Sequence, residues 1–88
     1  IKFNQKLREI GNGAFYKCRN IRELTFNDSI QVIGDEAFAE CKNLRKVSFP
    51  ITIKRIGVSA FQNCESLKQP LFPPQIQIGK NAFKGTRK

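Results

Sequence analysis

The sequence predicts a right-handed solenoid of short repeats, with a parallel β-sheet on one side and brief turns on the other. Three observations lead there. The cassette Ile-Gly-x-x-Ala-Phe-x-x-Cys occurs at Ile10–Cys18, Ile33–Cys41 and Ile56–Cys64, at a spacing of 23 residues, and again from Ile78 with Thr86 in place of the cysteine. A second motif recurs in phase with it, as Ile21/Leu24/Phe26, Leu44/Val47/Phe49 and Leu67/Pro70/Phe72. All eight phenylalanines fall in two columns, Phe3/26/49/72 and Phe15/38/61/83.

The chain opens partway through a repeat, because Phe3 and Asn4 map by one period onto Phe26 and Asn27. One solenoid is therefore expected over 1–88: a partial repeat over 1–3, repeats over about 4–26, 27–49 and 50–72, and an irregular partial repeat over 73–88. The phase at both ends reads as an excerpt of a longer array without capping repeats. Such a piece exposes apolar ends and open sheet edges, so marginal stability or self-association is expected of it.

In each repeat the segment Ile21-Arg-Glu-Leu24-Thr-Phe26 and its equivalents end in strict alternation, which is strand periodicity. Leu24 and Phe26 face inward, and Glu23 and Thr25 face out. Next come Leu7-x-x-Ile10, Ile30-x-x-Ile33 and Ile53-x-x-Ile56, each followed by a glycine. Gly11, Gly34, Gly57 and Gly79 require either a positive φ or backbone packed too closely for a Cβ. Ala-Phe-x-x-Cys is too short for a free-standing helix and predicts one helical or 3₁₀ turn, with Asp35-Glu36 favouring the start of its second copy. Asn20, Asn43 and Ser66 mark the bend into the strand. Stacking places equivalent strands side by side in parallel, and connections between parallel strands are right-handed.

These residues carry a resemblance. Leu-x-x-Val-x-Phe-Pro followed by Ile-x-x-Ile-Gly-x-x-Ala-Phe-x-x-Cys-x-x-Leu is similar to the BspA-type leucine-rich repeat, over essentially the whole chain. The resemblance implies a curved solenoid with the parallel sheet on its concave side. It also implies recognition, often adhesion to host proteins, by a secreted or cell-surface parent. Three positions depart from the pattern. Pro70 stands at a buried strand position and removes a ladder donor, Pro73-Pro74 and a one-residue deletion precede Ile78, and Thr86 replaces the fourth cysteine.

Composition narrows the function. Sixteen basic and seven acidic residues give a formal charge of +9 without any histidine, which favours acidic partners. Histidine is not there to act as a general base, and no nucleophile signature is present, so no enzyme, cofactor or metal is expected. Neither a membrane-spanning apolar run nor a signal-peptide pattern is present in this stretch. Cys18, Cys41 and Cys64 stack one repeat apart at roughly 4.8 Å. A straight column without Cys-x-x-Cys offers no tetrahedral ligation, and the favoured reading is a buried thiol column closing each turn. Gly11-Asn-Gly13 is a turn signal, and Asn27-Asp28-Ser29 has the form of a glycosylation acceptor.

The candidate binding surface is the exposed strand face: Arg22, Glu23, Thr25, Arg45, Lys46, Ser48, Lys68, Gln69 and Leu71. Arg22, Arg45 and Lys68 form a basic column in register across it, extended by Lys46 and partly offset by Glu23. Like charges on adjacent strands oppose folding by a few tenths of a kcal/mol per pair, so the column is either used or neutralised nearby. The sequence favours a protein partner with an acidic surface. A polyanion, either a sulfated glycan or nucleic acid, is the alternative, and Lys80, Lys84, Arg87 and Lys88 are further phosphate candidates. A purely structural spacer is the third reading.

Overall fold

The computed structural model describes residues 3–87, so Ile1, Lys2 and the predicted phosphate contact Lys88 lie outside the described residues. Among the described residues there are six short strands: β1 (Glu9–Ile10), β2 (Glu23–Thr25), β3 (Val32–Ile33), β4 (Lys46–Ser48), β5 (Arg55–Ile56) and β6 (Gln77–Ile78). They form two parallel sheets, one of four strands in the order β1-β3-β5-β6 and one of two strands, β2-β4. Register follows the 23-residue period: Ile10 lies against Ile33, Ile33 against Ile56, and Leu24 against Val47. At the deletion the step shortens to 22, and Ile56 lies against Ile78. The expected sheet is thus present but short, and the more continuous sheet is the one built from the Ile-x-x-Ile segments.

The core lies between the two sheets and the cassette turns. Phe15, Phe38, Phe61 and Phe83 stack in one file with successive centroids 5.1, 5.2 and 5.3 Å apart. Phe3, Phe26, Phe49 and Phe72 form a second file at 5.2, 5.6 and 5.7 Å. The files meet edge to face through Phe26–Phe38 and Phe49–Phe61, an arrangement that suits the ring quadrupoles.

The cassette is not helical, and among the described residues there is no helix. Glu36, which was expected to begin one, instead has φ = +55°. Two columns run through the cassettes in the left-handed region: Gly13/Glu36/Ser59/Asn81 and Lys17/Glu40/Asn63/Gly85. Alternate N–H groups close tight turns within the repeat, as from Ala14 to Gly11 O (3.2 Å), Tyr16 to Gly13 O (3.1 Å) and Cys18 to Phe15 O (3.1 Å). The intervening N–H groups reach the next repeat, as from Gly13 to Asp35 O (2.9 Å), Phe15 to Ala37 O (2.8 Å) and Lys17 to Ala39 O (2.9 Å). A five-residue helix gains too few bonds to offset its nucleation cost. The zigzag satisfies every second donor from a neighbouring layer.

Gly34, Gly57 and Gly79 take the second of the two expected roles, whereas at Gly11 nothing lies within 4 Å of where a Cβ would be. A Cβ on Gly34 would lie 2.5 Å from Asn12 Oδ1 and 2.7 Å from Asn12 N. The residue after each glycine accounts for that approach: Asn12 Oδ1 accepts from Asp35 N–H at 2.8 Å, and Asp35 Oδ1 accepts from Val58 N–H at 2.8 Å. This column of acceptors stops at Val58, whose side chain has none to offer Lys80. Val58 is 43% exposed, so replacing it loses little burial. Val58→Asp is therefore expected to extend the column and add about 0.5–1.5 kcal/mol, the ordinary worth of one intramolecular hydrogen bond. Urea denaturation reads this directly, and an unchanged or lowered midpoint would refute it.

Candidate functional site

The β2-β4 strands place the predicted surface residues by alternation. Leu24 and Val47 point inward and are buried, while Glu23, Thr25, Lys46 and Ser48 are exposed. Glu23 stands opposite Lys46 and Thr25 opposite Ser48. Arg22, Arg45, Lys68, Gln69 and Leu71 are exposed as well, so all nine predicted residues are on the surface. The structure does not hold them on one continuous sheet. Glu23, Thr25, Lys46 and Ser48 lie in β2 and β4, and Arg22 and Arg45 directly precede those strands, whereas Lys68, Gln69 and Leu71 lie on a third segment that is not a strand.

The basic column is held by main-chain bonds. Arg45 N–H donates to Arg22 O at 2.7 Å, and Lys68 N–H donates to Arg45 O at 3.4 Å. A fourth cation joins it: Lys68 forms an isolated parallel bridge with Arg87, whose N–H donates to Leu67 O at 2.9 Å. Sequence reading placed Arg87 in a basic tail because it follows Lys68 by 19 residues rather than 23. Among the described residues the ion pairs join Lys42 to Glu40 (3.4 Å) and Glu65 (3.2 Å), and Arg55 to Asp35 (3.9 Å). None involves the column. Glu23 faces Lys46 in register but makes no ion pair, so its offset of the column is only long-range.

Beside the column, β4 and segment 68–71 enclose an open cleft of about 510 Å³, lined by Arg45, Lys46, Lys68, Pro70 and Leu71 among others. Leu71 is 92% exposed, so the cleft carries an apolar side chain beside three cations. Val47, Phe49 and Pro70 were not among the predicted site residues, although Pro70 was the signal for the gap.

The other candidates resolve into structural roles. Cys41 Sγ donates to Phe15 O at 3.2 Å and Cys64 Sγ to Phe38 O at 3.0 Å, so each thiol satisfies a carbonyl of the preceding repeat. Cys41 and Cys64 are buried and Cys18 half-buried. The Cys64 thiol is pushed well above its ordinary range, first by the adjacent Cys41 thiol and then by burial. Thr86 instead bonds Phe83 O within its own turn at 2.9 Å. Asn27 donates through Nδ2 to Gln5 O (3.1 Å) and Leu7 O (2.8 Å), so both amide hydrogens of the would-be glycosylation acceptor are engaged in the folded chain. On another face, the Glu40 carboxyl is held below its usual range by a hydrogen bond from Asn63, with Lys42 adding to the shift.

The chain matches the family model of the BspA-type leucine-rich repeat region, a model of six copies, over residues 1–88. A leucine-rich repeat protein from Bacteroides ovatus superposes with a TM-score of 0.83 at 36% identity, covering 88% of this chain and 20% of its own. One from Bacteroides capillosus gives a TM-score of 0.84 at 27% identity, covering 97% of this chain and 68% of its own. The leucine-rich repeat protein of T. pallidum shares the fold, with a TM-score of 0.68 at 22% identity over 96% of this chain and 53% of its own. This chain thus spans one fifth of the B. ovatus protein. Comparison with curated proteins gave no match.

Proposed function

The chain belongs to the BspA-type leucine-rich repeat family, and from that premise we propose that its β2–β4 face is a non-catalytic recognition surface for a protein partner with an acidic patch. The family supports a protein-interaction or structural repeat module in general terms, and fold alone names no partner. The single observation that carries the finer reading is the column Arg22–Arg45–Lys68–Arg87, held by main-chain bonds and joined to no carboxylate among the described residues. Self-repulsion along such a column is relieved when an acidic surface docks. The scaffold is already ordered, so little backbone entropy is lost on binding, and the +9 charge steers an acidic partner inward. Adhesion by a surface-exposed parent is the biological form of this reading.

A second reading has its own support, since four aligned cations also suit a sulfated glycan or a nucleic acid. The two differ in salt response. Heparin binding is to be measured across a salt series, with a variant carrying Arg22→Gln, Arg45→Gln and Lys68→Gln measured alongside. For a protein-recognition face, the expected result is weak binding whose salt dependence the triple change scarcely alters. A steep log-linear loss that flattens in the variant by roughly one power per removed cation would transfer the column to polyanion binding.

A further inference from the structure

We propose that the cleft over β4 and segment 68–71 receives a tyrosine of the partner that carries a phosphate or sulfate ester. This rests on the recognition reading above and names the chemical group that the acidic patch presents at this point. Segment 67–72 stays stacked on β4, through Lys68 N–H to Arg45 O at 3.4 Å and the Phe49 and Phe72 rings 5.7 Å apart. Arg45, Lys46, Lys68 and Leu71 are all exposed, so the cleft of about 510 Å³ lies in the outer face of two joined segments. Small-group sites commonly measure roughly 300–1,000 Å³, and this one has room for a ring and its ester together.

The lining joins two chemistries. Arg45, Lys46 and Lys68 supply three cations, and among the described residues no carboxylate lines the cleft or pairs with them. Pro70 and Leu71 supply the apolar part, and Leu71 is 92% exposed. The preceding repeats lack this combination. Glu23 stands where the second repeat has Lys46, and Thr25 and Ser48 stand where the third has Leu71. The basic column runs along the face and selects no one point on it. The apolar pair marks that point.

Each half of the lining rejects a simpler ligand. A glutamate or aspartate engages the cations and leaves Leu71 in water. A plain aromatic ring covers Leu71 and leaves three like charges without a counterion. A tyrosine ester carries both groups on one stiff side chain. Its terminal oxygens accept charge-assisted hydrogen bonds, and a guanidinium such as that of Arg45 matches them with a two-pronged fork. The ring face is attractive to lysine and arginine heads as well as to Leu71. A phosphate ester carries about −1.5 to −2 charges at pH 7, so it gains more from three cations than a singly charged sulfate does.

The test is a titration of end-blocked pentapeptides Gly-Ser-X-Ser-Gly into the isotope-labelled 88-residue chain, read by amide chemical shifts. X is phosphotyrosine, sulfotyrosine, phosphoserine, tyrosine or glutamate. Both tyrosine esters are expected to give saturable shifts at Arg45, Lys46, Lys68 and Leu71, at least tenfold more tightly than the other three peptides, with the phosphate ester the tighter. Leu71→Ser copies Ser48 at an exposed position. It is expected to weaken both tyrosine esters at least threefold and to leave phosphoserine unchanged, whereas Lys46→Gln weakens every anionic peptide. Phosphoserine or glutamate binding as tightly as the esters, indifference of the esters to Leu71→Ser, or shifts centred on another face would overturn the ester site. Silence from all five peptides overturns it too. The heparin salt series decides the acidic-surface reading separately, so the two failures are told apart.

Discussion

Gly57→Ala is expected to abolish the cooperative melt of this chain or lower its stability by about 3 kcal/mol or more, whereas Gly11→Ala changes it by less than about 1 kcal/mol. The two glycines occupy the same cassette position, and neither lies in the left-handed region, so backbone preference does not separate them. Contact does. A Cβ at Gly57 would sit 2.5 Å from Asp35 Oδ1, 2.6 Å from Asp35 N and 2.6 Å from Gly34 C, while at Gly11 nothing lies within 4 Å. Two of the three obstructing atoms at Gly57 are main chain and cannot rotate away. The third, Asp35 Oδ1, is occupied by its bond to Val58 N–H at 2.8 Å, so moving it breaks a second interaction. Relief means separating the layers, which also strains the Gly57 N–H to Ile33 O bond of 2.8 Å. Urea melts of the two variants decide it. Equal losses would show that the glycine is retained for flexibility and not for close approach.

That contrast marks where the sequence is legible. The glycines stood out because one residue type recurs in four copies, and in three of them, Gly34, Gly57 and Gly79, main chain of the neighbouring layer leaves no room for a Cβ; the phenylalanine files stood out by the same recurrence. The left-handed columns did not. Gly13, Asn63, Asn81 and Gly85 are residues that adopt φ > 0 readily, but Lys17, Glu36, Glu40 and Ser59 do so at equivalent positions only because the neighbouring layer supplies the acceptors. Their identity carries no local signal, and a short turn-forming stretch therefore read as helical. The exposed face was legible from alternation alone, since Leu24 and Val47 had to face inward. Its interruption was visible only as Pro70, and the fourth member of the basic column not at all. Arg87 pairs with Lys68 after 19 residues, and no periodic argument reaches a position that leaves the period.

Phe38→Ala is expected to cost about 4 kcal/mol and to divide the melt into two weaker transitions. Phe38 is wholly buried, stacked 5.1 Å from Phe15 on one side and 5.2 Å from Phe61 on the other, and set edge-on to Phe26 at 5.9 Å. Truncation removes the transfer free energy of a large ring and opens a cavity that stacked layers cannot collapse to fill, because main-chain bonds on three faces hold the layers at their spacing. A chain of this length has roughly 4–13 kcal/mol of stability in all, so the loss is a large share. In a repeat array, moreover, folding is cooperative only through contacts between adjacent layers, and Phe38 is a principal contact between the layers before and after it. Phe83→Ala supplies the control. It is half-buried at the end of the same file, touching Phe61 at 5.3 Å and Phe72 at 5.2 Å, and should cost about half as much without dividing the transition. Amide exchange read residue by residue distinguishes the outcomes. In Phe38→Ala, protection should fall first in residues before the mutated cassette and persist around Phe61. A uniform fall across the chain would mean that the layers are coupled by the backbone ladders rather than by the aromatic files.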